Sequence, residues 1–235
     1  MKSEFNKYGL LLDETMSNQF EKYYELLIDW NQRMNLTTIT DRDEVVQKHF
    51  IDSVLLLTKY DKTEFENKNI IDVGTGAGFP GIPLKIVYPE IDFVLVDSLN
   101  KRVKFLKDVK EALGLEGLEA LHGRAEDYAK DAAYREKYDL CVSRAVANLA
   151  TLSEYCLPYV KVDGMFIPYK SGEIDEEVKG SKKAVKVLGG EIEDVVKFEL
   201  PGTDIGRSFV KIHKVKNTAK KYPRKAGMPS REPIV

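Results

Sequence analysis

The chain has 235 residues, of which 43% are hydrophobic and 31% are charged, and its formal net charge is −2. This composition is ordinary for a folded protein and excludes wholesale disorder. No apolar run reaches the length of a membrane span, and residues 1–5 do not open a signal peptide. We therefore expect a cytoplasmic protein in which Cys141 and Cys156 serve core packing.

Residues 1–65 are predicted to form a helical extension that packs on the rest of the protein. Apolar residues recur at spacings of three and four within residues 20–28, with Ser17 as the candidate N-cap. A second amphipathic helical segment follows Asp41, the candidate cap of a capping box. The polar residues within residues 30–37 predict a connection that is fixed by local hydrogen bonds.

From residue 69 onward, predicted strands alternate with predicted helices. The predicted strands are 69–73, 92–96, 118–121, 138–142 and 164–168, and the predicted helices are 80–87, 100–113, 125–134, 148–157 and 175–188. Two further strand-like runs, 191–198 and 208–214, leave no room for a helix between them and should pair antiparallel. We therefore predict an α/β core, residues 66–216, with a mostly parallel seven-stranded sheet that ends in an antiparallel hairpin.

The first of these strands runs into a loop with glycine at Gly74, Gly76 and Gly78. Such a loop can adopt positive φ angles and lets a ligand lie against the main chain. The residue pattern of this loop fits two ligand classes. Gly76 to Gly81 matches the dinucleotide pattern G-x-G-x-x-G. Asp72 with the three alternating glycines resembles the loop of S-adenosylmethionine methyltransferases, and we prefer this interpretation because it uses all four residues.

Further candidate ligands follow the next strands. Asp97 ends the second strand, where a carboxylate can accept hydrogen bonds from both hydroxyls of a ribose. The alternative is that Asp97 caps the helix that begins near residue 100. Ser98 and Leu99 lie at the same edge, where Leu99 could contact an adenine ring. After the third strand, the backbone N–H of Glu126 could bind adenine, although an acid in the first turn of a helix has a purely structural explanation too.

Two cations follow the fourth and fifth strands. Arg144 follows the fourth strand. In the S-adenosylmethionine methyltransferases that the glycine loop resembles, the residue at this position usually meets the group that is methylated. The side chain of Arg144 donates hydrogen bonds and accepts none, which suits a carbonyl-bearing base or a phosphate. Lys170 adds a second positive group one strand over. We predict that Arg144 holds the target base or orients the donor and that Lys170 binds phosphate.

The C-terminal residues 217–235 form a predicted basic and extended tail. From Lys211 to the end there are eight basic residues against one acid. Lys221, Arg224 and Lys225 are candidates for RNA phosphates, as is Arg207 in the preceding strand. The competing interpretation is a solvated, disordered end.

Several separated motifs together resemble the ribosomal RNA small subunit methyltransferase G family, also called glucose-inhibited division protein B. The motifs are residues 72–83, 96–102, 124–126 and 143–147 and the pattern Trp30-Asn31-x-x-x-Asn35-Leu36-Thr37. The resemblance implies methylation of guanosine N7 in 16S ribosomal RNA, with S-adenosylmethionine as cofactor. It implies cofactor contacts at Gly74, Phe79, Asp97, Ser98, Leu99, Ala125, Glu126 and Arg144, to which the glycine pattern adds Gly76 and Gly78. The family's ending leads us to expect Pro where Ala226 stands.

The chemistry of the residues agrees with that implication. Guanine N7 carries a lone pair and no proton, so its methylation needs no general base, and the sequence shows no convincing acid/base pair. His49, His122 and His213 stand alone, so we predict no metal site. We also expect a monomer. The alternatives are an RNA-binding assembly factor without activity, an NAD-dependent oxidoreductase and a methyltransferase for small molecules.

Overall fold

A computed structural model describes residues 1–235, except for the side chain of Lys62. Seven strands form one sheet in the order β3-β2-β1-β4-β5-β7-β6. The strands are β1 (Asn69–Val73), β2 (Asp92–Asp97), β3 (Leu118–His122), β4 (Tyr138–Arg144), β5 (Val160–Ser171), β6 (Gly190–Glu199) and β7 (Gly206–Lys214). Strands β1 to β5 pair in parallel, and β7 pairs antiparallel with both β5 and β6. The predicted mostly parallel sheet with a terminal hairpin is confirmed.

The helices alternate with the parallel strands, as predicted. They are α6 (Gly81–Val87), α7 (Asn100–Leu113), α8 (Ala125–Tyr128), α9 (Leu149–Cys156) and α10 (Asp175–Val187), and a short 3-10 turn at Leu157–Tyr159 follows α9. The prediction for α8, residues 125–134, was too long. The side chain of Asp131 accepts a hydrogen bond from the N–H of Ala133 at 2.9 Å. Because this local bond competes with helical hydrogen bonding, the segment after Tyr128 consists of turns.

The N-terminal part is helical but more broken than predicted. It contains α1 (Lys2–Asn6), α2 (Glu14–Asn31), α3 (Arg42–Val45), a π-helix (Val46–Ile51), α4 (Asp52–Val54), α5 (Leu56–Lys59) and a 3-10 turn (Lys62–Glu64). Asp13 caps α2 by accepting a bond from the N–H of Met16 at 2.7 Å, so the prediction of Ser17 was wrong. Asp41 caps α3, as predicted.

Two apolar layers cover the faces of the sheet. The N-terminal helices pack with α6 and α7 on one face, and α9 and α10 pack on the other. Cys141 and Cys156 are fully buried in the second layer, which confirms their predicted place in the core. Among the described residues, no helix combines the length and the apolar character needed to cross a membrane.

The connection after α2 has the predicted local hydrogen bonds. The side-chain oxygen of Asn31 accepts bonds from the N–H groups of Leu36 at 2.8 Å and Thr37 at 3.0 Å. The amide nitrogen of Asn31 donates back to the carbonyl oxygen of Thr37. The hydroxyl of Thr37 then lies 2.8 Å from Nε2 of His49 on the π-helix. The network therefore fixes the π-helix relative to α2.

The C-terminal residues were predicted to be extended, but in the structure they fold back on the core. The guanidinium of Arg135 donates to the carbonyl oxygens of Thr218 at 2.6 Å and Tyr222 at 2.9 Å. Arg224 forms a two-pronged ion pair with the buried carboxylate of Glu154 on α9. A short helix, α11 (Met228–Arg231), follows. Each of these contacts satisfies a buried or half-buried polar group, which sequence periodicity does not reveal.

Candidate functional site

The site lies where the carboxyl ends of β1 and β4 meet, since the strand order reverses between these two neighbours. Ligands of open α/β sheets bind at such a position. A cavity of about 570 Å³ opens there, which we call the first cavity. It is lined by Val73, Gly74, Val96, Asp97, Ser98, Leu99, Arg102, Gly123, Arg124, Ala125, Glu126, Ala145, Val146, Tyr155 and Gly227.

The glycine loop between β1 and α6 turns through three residues with positive φ. The angles are +73° at Gly74, +62° at Gly76 and +98° at Gly78, a region that other residues rarely adopt. Asp72 is fully buried and holds this loop from behind. One of its carboxylate oxygens accepts bonds from the hydroxyl of Thr75 at 2.7 Å and the N–H of Gly81 at 2.9 Å. Asp72 therefore shapes the loop and does not line the first cavity.

Burial raises the pKa of Asp72 to about 7. The unfolded chain loses this proton near its ordinary pKa of 3.8, so this group's contribution to stability is present at low pH and is lost as pH rises through about 7. We expect Asp72→Asn to remove this loss. In urea unfolding at pH 5 and pH 8, the stability of the variant relative to wild type should increase with pH. The exposed control Asp43→Asn should show no such trend, and a constant difference between Asp72→Asn and wild type would contradict the assignment.

Asp97 connects the two sides of the first cavity. Its carboxylate is buried and accepts bonds from the N–H groups of Gly76 at 2.9 Å and Leu99 at 2.8 Å. Arg102 approaches the same carboxylate at 3.4 Å. The helix α7 receives no side-chain cap, so the capping alternative for Asp97 is not what the structure shows. A carboxylate offers about four lone-pair sites, so the two backbone bonds and the bond from Arg102 leave acceptor capacity for about one further donor.

Six of the predicted cofactor residues line the first cavity, and they are Gly74, Asp97, Ser98, Leu99, Ala125 and Glu126. The structure places the other four elsewhere. Gly76 and Gly78 lie in the glycine loop but do not line this cavity, and a side chain at Gly78 would collide with Ile82 and Tyr23. Phe79 is buried and stacks on the ring of His49. Arg144 faces a second cavity. For all ten residues, contact with a cofactor stays a prediction.

The folded tail supplies part of the first cavity, which sequence patterns do not indicate. Gly227 lines the cavity, and its N–H donates to the carboxylate of Glu126 at 3.0 Å. Tyr155 on α9 lines the same end. Glu126 therefore has a partner in the tail, and its carboxylate is only partly available to a ligand.

A second cavity of about 420 Å³ lies on the other side of the loop that follows β4. It is lined by Ile39, Lys48, His49, Asp52, Arg144, Ala145, Tyr169, Lys170, Ser171, Glu177 and Arg207. Ala145 lines both cavities, so the two are direct neighbours. The predicted residues Arg144, Lys170 and Arg207 are thus brought together, whereas Lys221, Arg224 and Lys225 are not among this lining.

The cations of the second cavity are held by carboxylates. Lys170 pairs with Glu177 at 2.5 Å and donates to the carbonyl oxygen of Ala147 at 2.9 Å. Arg144 and Arg207 both pair with Asp52 at 3.0 Å. Burial lowers the pKa of the neighbouring His49 to about 3, and the nearby charge of Arg144 adds to this shift, so the imidazole is neutral at physiological pH. Within the part of the chain that the structure describes, no group of three His, Cys, Asp or Glu side chains could hold a metal ion.

Comparison with known proteins decides the family. The model of the family described as rRNA small subunit methyltransferase G matches residues 16–221. The chain belongs to this family. A relative from Lachnoclostridium phytofermentans, named ribosomal RNA small subunit methyltransferase G, is 52% identical over 97% of this chain and 93% of its own. A relative of the same name from Clostridium tetani is 48% identical over 100% of this chain and 97% of its own.

Comparison with solved structures supports the fold assigned to this chain. The M. jannaschii protein TYW2 in complex with AdoMet aligns with a TM-score of 0.52 and 13% identity, over 66% of this chain and 74% of its own. A 16S rRNA (adenine(1408)-N(1))-methyltransferase with SAM, from Catenulisporales acidiphilia, aligns with a TM-score of 0.53 and 16% identity. The alignment covers 66% of this chain and 88% of the methyltransferase chain. At these identities the likeness concerns the fold alone. It confirms the predicted Rossmann-like methyltransferase fold.

Proposed function

We propose that the protein transfers the methyl group of S-adenosylmethionine to N7 of a guanosine in the 16S ribosomal RNA of the small subunit. One observation carries the proposal. A cavity built around the Asp97 carboxylate shares the residue Ala145 with a second cavity that presents arginine donors. Two neighbouring cavities of this kind can hold a donor and an acceptor side by side. The names of the family and of its relatives support the ribosomal substrate.

The residues of the first cavity fit the proposed cofactor. The buried Asp97 keeps acceptor capacity for one ribose hydroxyl, and displacement of the long contact from Arg102 would free a site for the second. Leu99 exposes 52% of its surface and offers an apolar face for an adenine ring. Gly74 at the end of β1 lets the amino-acid part of the cofactor lie against the main chain. S-adenosylmethionine supplies a methyl group on a positively charged sulfur.

The chain's own contribution to the chemistry is positioning. Guanine N7 attacks through its lone pair and releases no proton, so none of the lining residues needs to act as a base. Arg144 donates to the guanine or to the donor pocket, and its guanidinium lies over the ring of Phe79 at 5.0 Å. Lys170 contributes charge for RNA phosphate. Holding the two reactants in line can lower the barrier by several kcal/mol, with about 7 to 11 kcal/mol as the upper range.

The alternatives receive less support. The comparisons give no support to an NAD-dependent oxidoreductase, and the relatives are named methyltransferases. An assembly factor without activity would not need the second cavity to adjoin the first. Calorimetric titration with S-adenosylmethionine and with NAD distinguishes a methyltransferase from an NAD-dependent oxidoreductase. Transfer of a labelled methyl group to free 16S RNA, to an assembly intermediate and to the complete subunit tests the proposal and identifies the substrate form. No transfer to any of the three would contradict it.

The proposed RNA contacts extend beyond the second cavity to the tail. Lys221 and Lys225 are exposed, and both are suited to binding phosphate. Arg224 is engaged by Glu154, so we propose that it contributes to RNA binding by ordering the tail as well as by its charge. We further propose that the protein acts as a monomer in the cytoplasm and needs no metal.

The salt dependence of RNA binding tests the tail residues. Each phosphate neutralised by a cation releases counterions, so affinity falls as salt rises. We expect Lys221→Ala and Lys225→Ala each to reduce the slope of log affinity against log salt by about 1. Filter binding of 16S RNA between low and moderate salt measures the slope. The exposed control Lys183→Ala on α10 should leave it unchanged, and equal slopes for all variants would remove the tail from the RNA interface.

A further inference from the structure

We infer that the buried carboxylate of Asp52 holds Arg144 and Arg207 as a paired donor set that selects guanine over adenine by hydrogen bonding to the exocyclic oxygen O6. This inference rests on the proposed function and deepens it, because it assigns the second cavity to the target base. Asp52 would act as a positioning residue, since it contacts the arginines and not the base.

The carboxylate of Asp52 bridges the side chains of Arg144 and Arg207. The Asp52 side chain is 3% exposed, and its two oxygens take different partners. Oδ2 lies 3.0 Å from Nη1 of Arg144, and Oδ1 lies 3.0 Å from Nε of Arg207. Arg144 comes from the end of β4 and Arg207 from the start of β7, the strands on either side of β5. One carboxylate on α4 therefore fixes two guanidinium groups from separate strands at a set spacing.

Both arginines keep donors for a ligand. An arginine has five N–H groups. Arg144 contacts Asp52, the carbonyl oxygen of Lys48 at 3.3 Å and the imidazole of His49 at 3.4 Å, which uses three of them. Arg207 contacts Asp52 and the carbonyl oxygen of Gly206, which uses two. Among the contacts of the described residues, each guanidinium thus keeps at least two donors, and both arginines line the second cavity.

The walls of the second cavity suit a flat base. Ile39, Tyr169 and the ring of His49 supply apolar and aromatic surface, and Ala145 borders the first cavity. The ring of His49 is itself fixed by stacking on Phe79, with 4.6 Å between ring centroids. A site for phosphate alone would not need these walls. The other charged groups that face the arginines compensate one another, since Lys170 pairs with Glu177 and Lys48 with Glu44.

Guanidinium groups donate hydrogen bonds and accept none, so they can distinguish guanine from adenine. Beside N7, guanine presents O6, an acceptor, and adenine presents an amino group, a donor. Guanidinium groups in the cavity can bond to O6 and leave the N7 lone pair for the methyl group. With adenine, N–H groups would face N–H groups in a half-buried site, which leaves both without partners. The pair therefore favours guanine by attraction and disfavours adenine by unpaired donors.

The test replaces the base atom and the carboxylate in turn. Small-subunit particles are reconstituted with 16S RNA that carries guanosine, inosine or 2-aminopurine at the methylated position. Inosine keeps O6 and N7, and 2-aminopurine keeps N7 but lacks O6. We expect wild-type protein to methylate guanosine and inosine at similar rates and 2-aminopurine about 10 to 100 times more slowly. Asp52→Asn should slow methylation of guanosine and inosine, so that the ratio to 2-aminopurine falls below about tenfold.

Matched variants separate positioning from loss of stability. Asn can accept from one arginine only and turns an amide N–H toward the other, so the spacing of the pair is lost. Asp139→Asn is the control. Asp139 also pairs with cations, Lys68 and Lys161, but it lies at the start of β4, whereas Arg144 lies at the end of that strand, and it does not line the second cavity. The Asp139→Asn variant should keep the wild-type ratio. If Asp52→Asn fails to fold, Arg207→Gln removes one member of the pair at a half-buried position and should reduce the same ratio.

The outcomes distinguish this inference from the proposed function. If wild-type protein methylates none of the three particles, the proposed function fails and the inference with it. If wild-type protein methylates guanosine and 2-aminopurine equally well, the proposed function stands and the pairing with O6 is wrong. Wild-type discrimination in both Asp52→Asn and Arg207→Gln would equally overturn the role of the bridge.

Discussion

Replacing Asp97 by Asn is expected to weaken binding of S-adenosylmethionine by at least roughly tenfold, because each charge-assisted hydrogen bond contributes about 1.5 to 3 kcal/mol. The carboxylate uses part of its capacity on the N–H groups of Gly76 and Leu99 and on Arg102 at 3.4 Å, and it offers the rest to the ribose. The amide of Asn has a single acceptor oxygen. It therefore loses both the charge and the capacity to serve loop and ligand together.

Calorimetric titration of the folded variant measures this effect. Asp108→Asn removes the same charge from the exposed face of α7 and serves as the control, with wild-type affinity expected. Thermal unfolding without cofactor shows how much of the effect comes from a loosened loop. Wild-type affinity in Asp97→Asn would mean that the ribose does not bind at this carboxylate, and the first cavity would need another ligand.

Replacing Arg144 by Ala is expected to lower the single-turnover rate of methyl transfer by about 100-fold at saturating cofactor and RNA, a loss typical of misplaced reactants. The guanidinium lies between the ring of Phe79 and the carboxylate of Asp52, in the second cavity. Its loss would remove a donor to the base and leave the buried Asp52 with one partner. Affinity for S-adenosylmethionine should be retained if Arg144 acts on the base side alone.

Three variants make the result for Arg144 interpretable. Arg144→Lys keeps the charge but loses the planar fork, so it should recover only part of the rate. Arg33→Ala removes an exposed arginine that follows α2 and pairs with Asp29 on that helix, and it should behave as wild type. Lys170→Ala tests the second predicted cation, and its effect should appear in RNA affinity. Unchanged rate and RNA affinity for both Arg144→Ala and Lys170→Ala would remove the roles assigned to these residues.

The strands, their mostly parallel arrangement with a terminal hairpin, and the position of the site could be predicted because they depend on short-range signals. Alternation of apolar runs with turn residues gives the parallel strands, and the missing helix between β6 and β7 gives the hairpin. The glycine loop and Asp97 follow strand ends, and parallel strands place their carboxyl ends at one edge. Six of the ten residues predicted to bind cofactor accordingly line one cavity.

The contributions from distant segments could not be predicted from local patterns. Asp52 lies in an apolar helical segment, and only its pairing with Arg207, 155 residues later, shows why a buried carboxylate is tolerated there. A charged residue inside an otherwise apolar stripe was the available signal. Gly227 reaches the first cavity because Arg135 and Glu154 hold the tail against the core, and these contacts join segments 70 or more residues apart. Such pairings depend on tertiary structure.

The identity of the methylated atom tests the central proposal most directly. Small subunits that lack the modification are incubated with wild-type protein and labelled S-adenosylmethionine, and their 16S RNA is then digested to nucleosides and analysed by mass spectrometry. The proposal predicts that the label appears in 7-methylguanosine at a single position. Label in another base, at another atom of guanine or on a ribose hydroxyl would contradict it.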